Sequence, residues 1–200
     1  MNSGIKKKDS RIKVYNEIEN FSALRFFIKK DLEKTGYKRL IMCLLFVPGF
    51  KFIFWLRITR YYYLKGKLFL PLFMISRFIM KHYAYKYCFD VSYKTPIGHG
   101  LSISHIGYIA ITAKAIGTDC SLRPGVVIGK NLINDQEKPT IGNNVHIGVG
   151  AKIIGPITIG NNVIVGANSV VTKNIESNSI AVGIPAKIIK KLDHYVELEF

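Results

Sequence analysis

The 200-residue sequence is short of acidic residues and has few cysteines. Against 29 lysines and arginines stand 13 aspartates and glutamates, a formal net charge of +16. Three cysteines at wide, unpatterned spacing (Cys43, Cys88 and Cys120) form neither a disulfide framework nor a zinc site, so we predict a reducing compartment. The first twenty residues are polar, and we expect no secretory signal peptide. With 48% hydrophobic and 21% charged residues, the composition excludes a disordered chain.

What is present is divided unevenly between two halves that meet near residue 95. Residues 1–95 carry a net charge of +14 and 21 of the 24 aromatic residues, whereas residues 96–200 carry +2 and 13 of the 17 glycines. We therefore expect an α-helical, basic and aromatic region over residues 1–88, a second domain over 89–188, and a tail over 189–200.

Apolar residues in the first region recur at helical spacing. Three stretches are predicted to be helices: 17–39, 52–63 and 68–87. The uncharged run 40–50 is shorter than the roughly 20 residues that a bilayer span needs. Because Pro48 and Gly49 also interrupt this run, we predict that it does not form a spanning helix.

The mixture of basic and aromatic residues leaves three interpretations of the first region open. Basic amphipathic helices can lie on an anionic membrane surface, a basic protein can bind nucleic acid, and a helical cap can pack its apolar faces on the rest of the protein. Since no nucleic-acid-binding motif is present, we predict no nucleic-acid partner. We expect a cytoplasmic protein, with peripheral contact at the inner face of the cytoplasmic membrane as an open alternative.

From residue 97 onward the sequence repeats every six residues. Each hexad starts with an aliphatic residue: Ile97, Ile103, Ile109, Ile116, Leu122, Ile128, Ile141, Ile147, Ile153, Ile159, Val165 and Val171. This period fits a parallel β-helix, in which three hexads make one coil and each starter stacks on the residue eighteen positions further on. The dozen hexads predict roughly four coils. The interruption over 130–139 predicts an extruded loop, a suitable place for substrate contacts.

Several further motifs accompany the repeat. They are Phe89-Asp90-Val91, Ile97 to Gly100 followed by Ile103-Ser104-His105, the stretch Ile141 to Gly155, Val165 to Val171, and Gly183 to Lys187. Together they resemble the serine acetyltransferase branch of the hexapeptide acyltransferases, over residues from about 50 to 190. Within that branch, His105 to Tyr108 and the short apolar-aromatic first region look closer to enzymes that acetylate capsule, colanic-acid-type or O-antigen sugars. The resemblance implies the hand of the coil, so the predicted fold is mainly β, a left-handed parallel β-helix preceded by a small α-helical region.

The resemblance also implies a reaction, the transfer of acetyl from acetyl-CoA to a hydroxyl without a metal. The general base of the family matches His105, whose side-chain type has a pKa near neutrality, and the carboxylate that orients the base matches Asp90. His146 is expected to be structural or to lie on the pantetheine side. CoA sites between neighbouring subunits imply a homotrimer. The positions that match the family's CoA site are Gly129, Gly148, Val149, Gly166, Ala167, Gly183 and Lys187.

Departures from the serine-specific pattern bear on the acceptor. Ser104 stands where serine-specific members carry an aspartate, and Glu137 and Lys138 stand where they carry an arginine–histidine pair. These losses remove the ion pairs expected for an amino-acid zwitterion. We therefore expect a sugar hydroxyl in cell-surface polysaccharide biosynthesis as acceptor, bound by the same three residues. The alternatives are a serine O-acetyltransferase of cysteine biosynthesis and, less favoured, a non-catalytic β-helix that serves as a structural or binding module.

Overall fold

The computed structural model describes residues 17–131 and 137–193. The predicted helical stretches are helical over most of their length. The α-helices are α1 Phe21–Glu33, α2 Leu40–Phe46, α3 Pro48–Lys65 and α4 Leu70–Tyr87, with a 3₁₀ turn Lys67–Phe69 before the last. Helix α2 was missed because an uncharged run has no amphipathic period. Among the described residues no single helix is long and apolar enough to cross a bilayer, although α2 and α3 pass that test together as a pair bent by 113°.

The second domain consists of short strands that form three parallel sheets. The strands are β1 Phe89–Val91, β2 Ser102–Ile103, β3 Ile109–Ile111, β4 Ala115–Ile116, β5 Ser121–Leu122, β6 Val127–Gly129, β7 Thr140–Ile141, β8 Val145–Ile147, β9 Lys152–Ile154, β10 Thr158–Ile159, β11 Val163–Val165, β12 Val170–Val171, β13 Ser179–Gly183 and β14 Ala186–Lys191. Sheet 1 has the order β1-β3-β6-β9-β12, sheet 2 β4-β7-β10, and sheet 3 β2-β5-β8-β11-β13-β14. Only β14 is antiparallel to its neighbour within the described ranges.

The sheets confirm the predicted parallel β-helix of hexapeptide repeats. Isolated bridges from Ile97 to Ile116 and from Ile159 to Ile175 extend sheet 2 at both ends. The coil therefore has about five rungs rather than the predicted four, because β1 precedes the first hexad and β13 follows the last. Asparagines stack at one corner, where Asn144 and Asn162 adopt left-handed φ values of 52° and 54°. Asparagine tolerates this conformation better than most residues do.

The starter residues stack in the interior of the coil, as predicted, with one shift. Ile141 pairs with Ile159 eighteen positions on. In sheet 1, however, Ile128 pairs with Ile111 and not with Ile109. In the first rung, the inward-facing residues of sheet 3 and sheet 1 are therefore Ile103 and Ile111, which are eight positions apart. In the regular rungs the inward-facing residues of the same two sheets are six positions apart. The two additional residues lie at the corner that carries His105.

A buried ion pair joins the helical region to the first rung of the coil. The Arg57 Nε donates to Asp31 Oδ2 at 2.8 Å, and both side chains are buried. Arg57 also donates to the carbonyl oxygens of Ile97 and Gly98, both at 2.6 Å, while Leu101 N donates to Asp31 Oδ1 at 2.9 Å. Both charged groups thus have hydrogen-bond partners, as buried charges require. Helices α1 and α3 are thus held at a defined position on the first rung, against the segment that directly precedes β2.

Candidate functional site

His105 lies at the long corner between β2 and β3, at the edge of a cavity of about 530 Å³. One wall of this cavity belongs to the coil and the other to the helical region. The coil residues are Leu101 to His105 and Arg123, and the helical region supplies Lys34, Thr35, Tyr37, Phe46, Val47, Pro48, Phe50 and Ile53. The docking of α2, α3 and the segment that follows α1 therefore turns an exposed corner into a pocket that could hold a small acceptor.

Ser104 supplies the pocket with a polar group that has no protein partner. Its Oγ is buried and makes no hydrogen bond among the described residues. An orphaned buried hydroxyl costs about 1–3 kcal/mol, so it is unusual outside a site where a ligand or another group satisfies it. This orphan agrees with the prediction that Ser104 contacts the acceptor, and the prediction itself stays untested.

Asp90 lies on the outer face of the coil, one strand away from the corner of His105. It occupies the exposed middle position of β1 and pairs in register with Ala110 of β3, the strand that directly follows the corner. Within residues 17–131 and 137–193, Asp90 and His105 make no hydrogen bond to each other. Catalytic hydrogen bonds are often long before the substrate binds. The predicted pair of base and orienting carboxylate therefore stays a prediction.

A second concavity contains three of the predicted CoA positions. This groove, of about 230 Å³, is lined by Ser121, Arg123, His146, Ile147, Gly148, Ile164, Val165, Gly166 and Ala167. Coil stacking already requires a glycine at position 148, because an added Cβ would lie 2.6 Å from the backbone nitrogen of Ala167. At Gly129, by contrast, an added Cβ would meet no atom of residues 17–131 and 137–193 within 4 Å, so packing against the described residues does not explain this glycine.

The other predicted CoA positions lie outside this groove. Val149 follows Gly148 and is exposed, and Gly129 is the last residue of β6. The predicted extruded loop 130–139 follows it, and residues 132–136 of that loop lie outside the described ranges. Gly183 and Lys187 belong to the β13–β14 hairpin at the last rung, where Gly183 pairs with Ala186. The structure therefore spreads these positions along the coil.

His146 is held in a hydrogen-bonded chain beside the groove. Its Nε2 lies 3.1 Å from Asn144 Oδ1, and its Nδ1 lies 3.0 Å from Ser121 Oγ. Because the Asn144 amide nitrogen donates to Asn162 Oδ1, the Asn144 oxygen acts as an acceptor. This assigns the proton to His146 Nε2 and makes Nδ1 the acceptor for Ser121. His146 is thus tied to the asparagine stack and also lines the groove, which agrees with both roles expected of it.

His99 is the remaining histidine that could have served as the base. It lies between the helical region and the coil, with its ring edge-on to Phe26 at 5.0 Å and to Phe27 at 5.8 Å between centroids. Burial lowers the pKa of His99, while the nearby carboxylates of Asp119 and Asp31 act in the opposite direction. His99 is therefore part of the helix–coil interface rather than of the pocket.

Glu137 and Lys138 lie at a different corner from His105. They border a cavity of about 410 Å³ together with Lys114, Thr140, Pro156, Ile157 and Thr158. This corner precedes sheet 2, whereas His105 lies on the corner that follows sheet 3. Within one chain, the structure therefore does not bring Ser104 together with Glu137 and Lys138.

Arg123 is the site residue that sequence reasoning missed. The inward-facing residues of sheet 3 are in register from Ile103 to Leu122, Ile147 and Val165. The residues that follow them form a column along one corner: Ser104, Arg123, Gly148 and Gly166. Arg123 lines both the His105 cavity and the groove, so it connects the two. The signal in the sequence was a single arginine in a column otherwise made of small residues.

Comparisons with known proteins agree with this fold. The family model described as bacterial transferase hexapeptide (six repeats) matches residues 138–173. The serine acetyltransferase of Buchnera aphidicola subsp. Acyrthosiphon pisum is 35% identical over 173 residues, which are 84% of this chain and 60% of that protein. That of Buchnera aphidicola subsp. Schizaphis graminum is 31% identical over 189 residues, 90% of this chain and 70% of that protein.

A comparison of structures also finds similarity to a serine acetyltransferase. The serine acetyltransferase of Neisseria gonorrhoeae, in a complex with serine, superposes with a TM-score of 0.71 at 25% identity, over 85% of this chain and 70% of that one. Fold and motifs define a hexapeptide-repeat transferase. The chain belongs to the serine acetyltransferase family, and it spans about 60% of the length of the first of these relatives.

The predicted acceptor is wrong. Relatives matched along most of the chain are serine acetyltransferases, which contradicts the expected sugar acceptor. They also give no support to the expected closeness to capsule-type and O-antigen-type enzymes. The prediction rested on Ser104, Glu137 and Lys138, which stand where the family carries charged residues. It left out Arg123, a residue of the next rung of the coil that lines the same pocket.

Proposed function

We propose that this protein is an acetyl-CoA-dependent serine O-acetyltransferase. One observation carries the proposal: the column from Ser104 through Arg123 to Gly148 and Gly166 connects the His105 pocket with a groove of small residues. A small zwitterion fits the pocket, and the arm of acetyl-CoA fits a groove whose walls are mostly backbone and small side chains. Membership of the serine acetyltransferase family supports this substrate pair.

The chemistry needs a base and a way to orient it. His105 takes the proton from the serine hydroxyl as the oxygen attacks the thioester carbon of acetyl-CoA, and the collapse of the tetrahedral intermediate releases CoA, whose sulfur receives the proton. Asp90 is the predicted group that accepts from one ring nitrogen and leaves the other free. Its strand pairs with β3, directly after the corner of His105, which supports this role.

The charged ends of serine require partners in the pocket. Arg123 is placed to pair with the serine carboxylate, and guanidinium groups match carboxylates in geometry as well as in charge. The orphaned Ser104 hydroxyl can accept from the serine ammonium group. Acetyl-CoA is assigned to Gly129, Gly148, Val149, Gly166 and Ala167 along the coil, with Gly183 and Lys187 at its far end, where the lysine meets phosphate as a point charge.

We also infer that the working unit is a homotrimer with sites between neighbouring copies. Glu137 and Lys138 lie at another corner of the coil than His105, so a second copy is needed to bring them to the acceptor. Acetyl-CoA as co-substrate, free cysteines and a small polar acceptor suit the predicted cytoplasmic location.

An acceptor comparison tests the activity. Purified protein is mixed with acetyl-CoA and L-serine, D-serine or a nucleotide sugar, and the CoA thiol released is measured beside the O-acetylated product. We expect turnover with L-serine, and a loss of about 10²- to 10⁴-fold in kcat for His105→Ala. The exposed His82→Ala is the matched control and should keep its activity. Release of thiol with a sugar but not with L-serine would contradict the proposal. A His105→Ala variant with an unchanged kcat would show that His105 is not the base.

A further inference from the structure

Helix α4 exposes an apolar stripe on the side that faces away from the coil. Phe78 is 77% exposed, Ile75 58% and Met74 51%, and Tyr85 lies on the same face two turns further along. The opposite face is packed into the protein through Ser76, Met80, Ala84 and Tyr87. A helix with apolar residues on both faces needs a second partner besides its own core.

Helix α2 also exposes apolar residues. Ile41, Leu45 and Phe46 are exposed although α2 is a run of seven uncharged residues. Lys51 of α3 connects the two helices, because its ammonium donates to the carbonyl oxygen of Leu45 at 3.4 Å and lies 5.6 Å from the ring centre of Tyr83 on α4. The end of α2 therefore lies near Tyr83 of α4.

The charge around these helices has one sign. Residues 34–89 contain 11 lysines and arginines and no aspartate or glutamate. By helical spacing, Arg77 and Lys81 lie on one edge of the α4 stripe and Lys86 lies on the other. Cations that flank an exposed apolar stripe complement an anionic surface with an apolar interior.

We propose that this face docks on the surface of an anionic phospholipid bilayer. The docking face comprises the exposed apolar residues Ile41, Leu45, Met74, Ile75, Phe78 and Tyr85 with the cations Arg77, Lys81 and Lys86. Apolar side chains enter the boundary between headgroups and acyl chains while the cations pair with lipid phosphates. A nucleic acid would not use the apolar stripe, and a second copy of the same face would place cations against cations.

Vesicle co-sedimentation of the full chain tests this docking. Phosphatidylcholine vesicles with and without phosphatidylglycerol are compared at low and high salt. We expect binding only with phosphatidylglycerol, and weaker binding as the salt concentration rises. The double variant Ile75→Glu/Phe78→Glu should bind at least tenfold more weakly, and Arg77→Gln/Lys86→Gln roughly fivefold more weakly for each cation removed.

Matched controls lie at the other end of the coil, on β14. Ile189→Glu and Lys190→Gln change exposed residues of the same types and should alter binding less than about twofold. Circular dichroism checks that every variant is folded. The proposal is overturned by wild-type protein that ignores phosphatidylglycerol vesicles at low salt, or by Ile75→Glu/Phe78→Glu binding like the wild type. One further result would overturn it: the wild-type protein does not bind vesicles, and Ile75→Glu/Phe78→Glu has a lower assembly mass in sedimentation. That result would assign the face to contacts between copies of the chain.

Discussion

At the residue scale, the proposed binding of the acceptor depends on Arg123. It is the cationic member of a column that otherwise contains a serine and two glycines, and it borders both the His105 cavity and the groove. Lys34 lines the same cavity but not the groove. Arg123 is therefore the cation that the two share, and the proposed function assigns the serine carboxylate to it.

Replacement of this arginine should weaken acceptor binding more than it slows the chemistry. For Arg123→Gln we expect the KM for L-serine to rise about 10- to 100-fold, since a charged hydrogen bond is worth about 1.5–3 kcal/mol. The kcat should change far less, because the base is untouched. Steady-state thiol release at varied L-serine measures this split. Arg123→Lys is the control and should recover part of the loss. A fall in kcat with an unchanged KM would show that Arg123 acts on the reaction step instead.

Residues such as Arg123 mark the limit of what a sequence can predict here. His105 could be predicted as the base because its motif is local, and a base needs a suitable side-chain type as much as a position. Arg123 becomes visible only when the register from Ile103 to Leu122 is known, because its relation to Ser104 crosses one rung of the coil. The register itself depends on the extra residues at one corner, and the apolar residues Ile109 and Ile111 fit the repeat equally well.

At the scale of elements, the buried pair of Asp31 and Arg57 positions one wall of the pocket. The pair joins α1 to α3 and ties both to the first rung through the backbone of Ile97, Gly98 and Leu101. Periodicity predicted the helices well, because amphipathic spacing is local. It did not predict this connection, and it did not predict which faces of α2 and α4 stay exposed, since both faces of those helices are apolar.

Removing one member of this pair should destabilise the protein strongly. For Asp31→Asn, which leaves the Arg57 charge buried without its partner, we expect the free energy of unfolding to fall by about 3–5 kcal/mol. Arg57→Met should have a similar effect, and the double variant should lose less than the sum of the two. Urea unfolding at one fixed protein concentration measures these changes.

An exposed pair on the same helix provides the comparison. Lys30 and Glu33 form an ion pair near the surface of α1, so Glu33→Gln should cost only about 0–1 kcal/mol. If Asp31→Asn proved as mild as Glu33→Gln, the helical region would not depend on this ion pair for its position over the coil.

At the scale of the whole molecule, the separation of the two corners predicts that no single copy contains a complete site. His105 and Ser104 follow sheet 3, while Glu137 and Lys138 precede sheet 2. A parallel coil with three flat sides can place such corners against each other only between copies, and closed rotational symmetry then builds every site in the same way.

Mixing two inactive variants tests the shared site directly. His105→Ala and Lys138→Ala should each lose most L-serine acetylation, and sedimentation should still give trimers. When the two chains are coexpressed with different affinity tags and hybrid trimers are isolated, a site between copies can combine the intact His105 of one chain with the intact Lys138 of its neighbour. Every isolated hybrid trimer, with one or two copies of either variant, would contain about one restored site in three. A site contained within one chain would stay inactive in every hybrid, because each chain carries one defect. Hybrids without recovered thiol release, or a fully active Lys138→Ala, would therefore rule out the shared site.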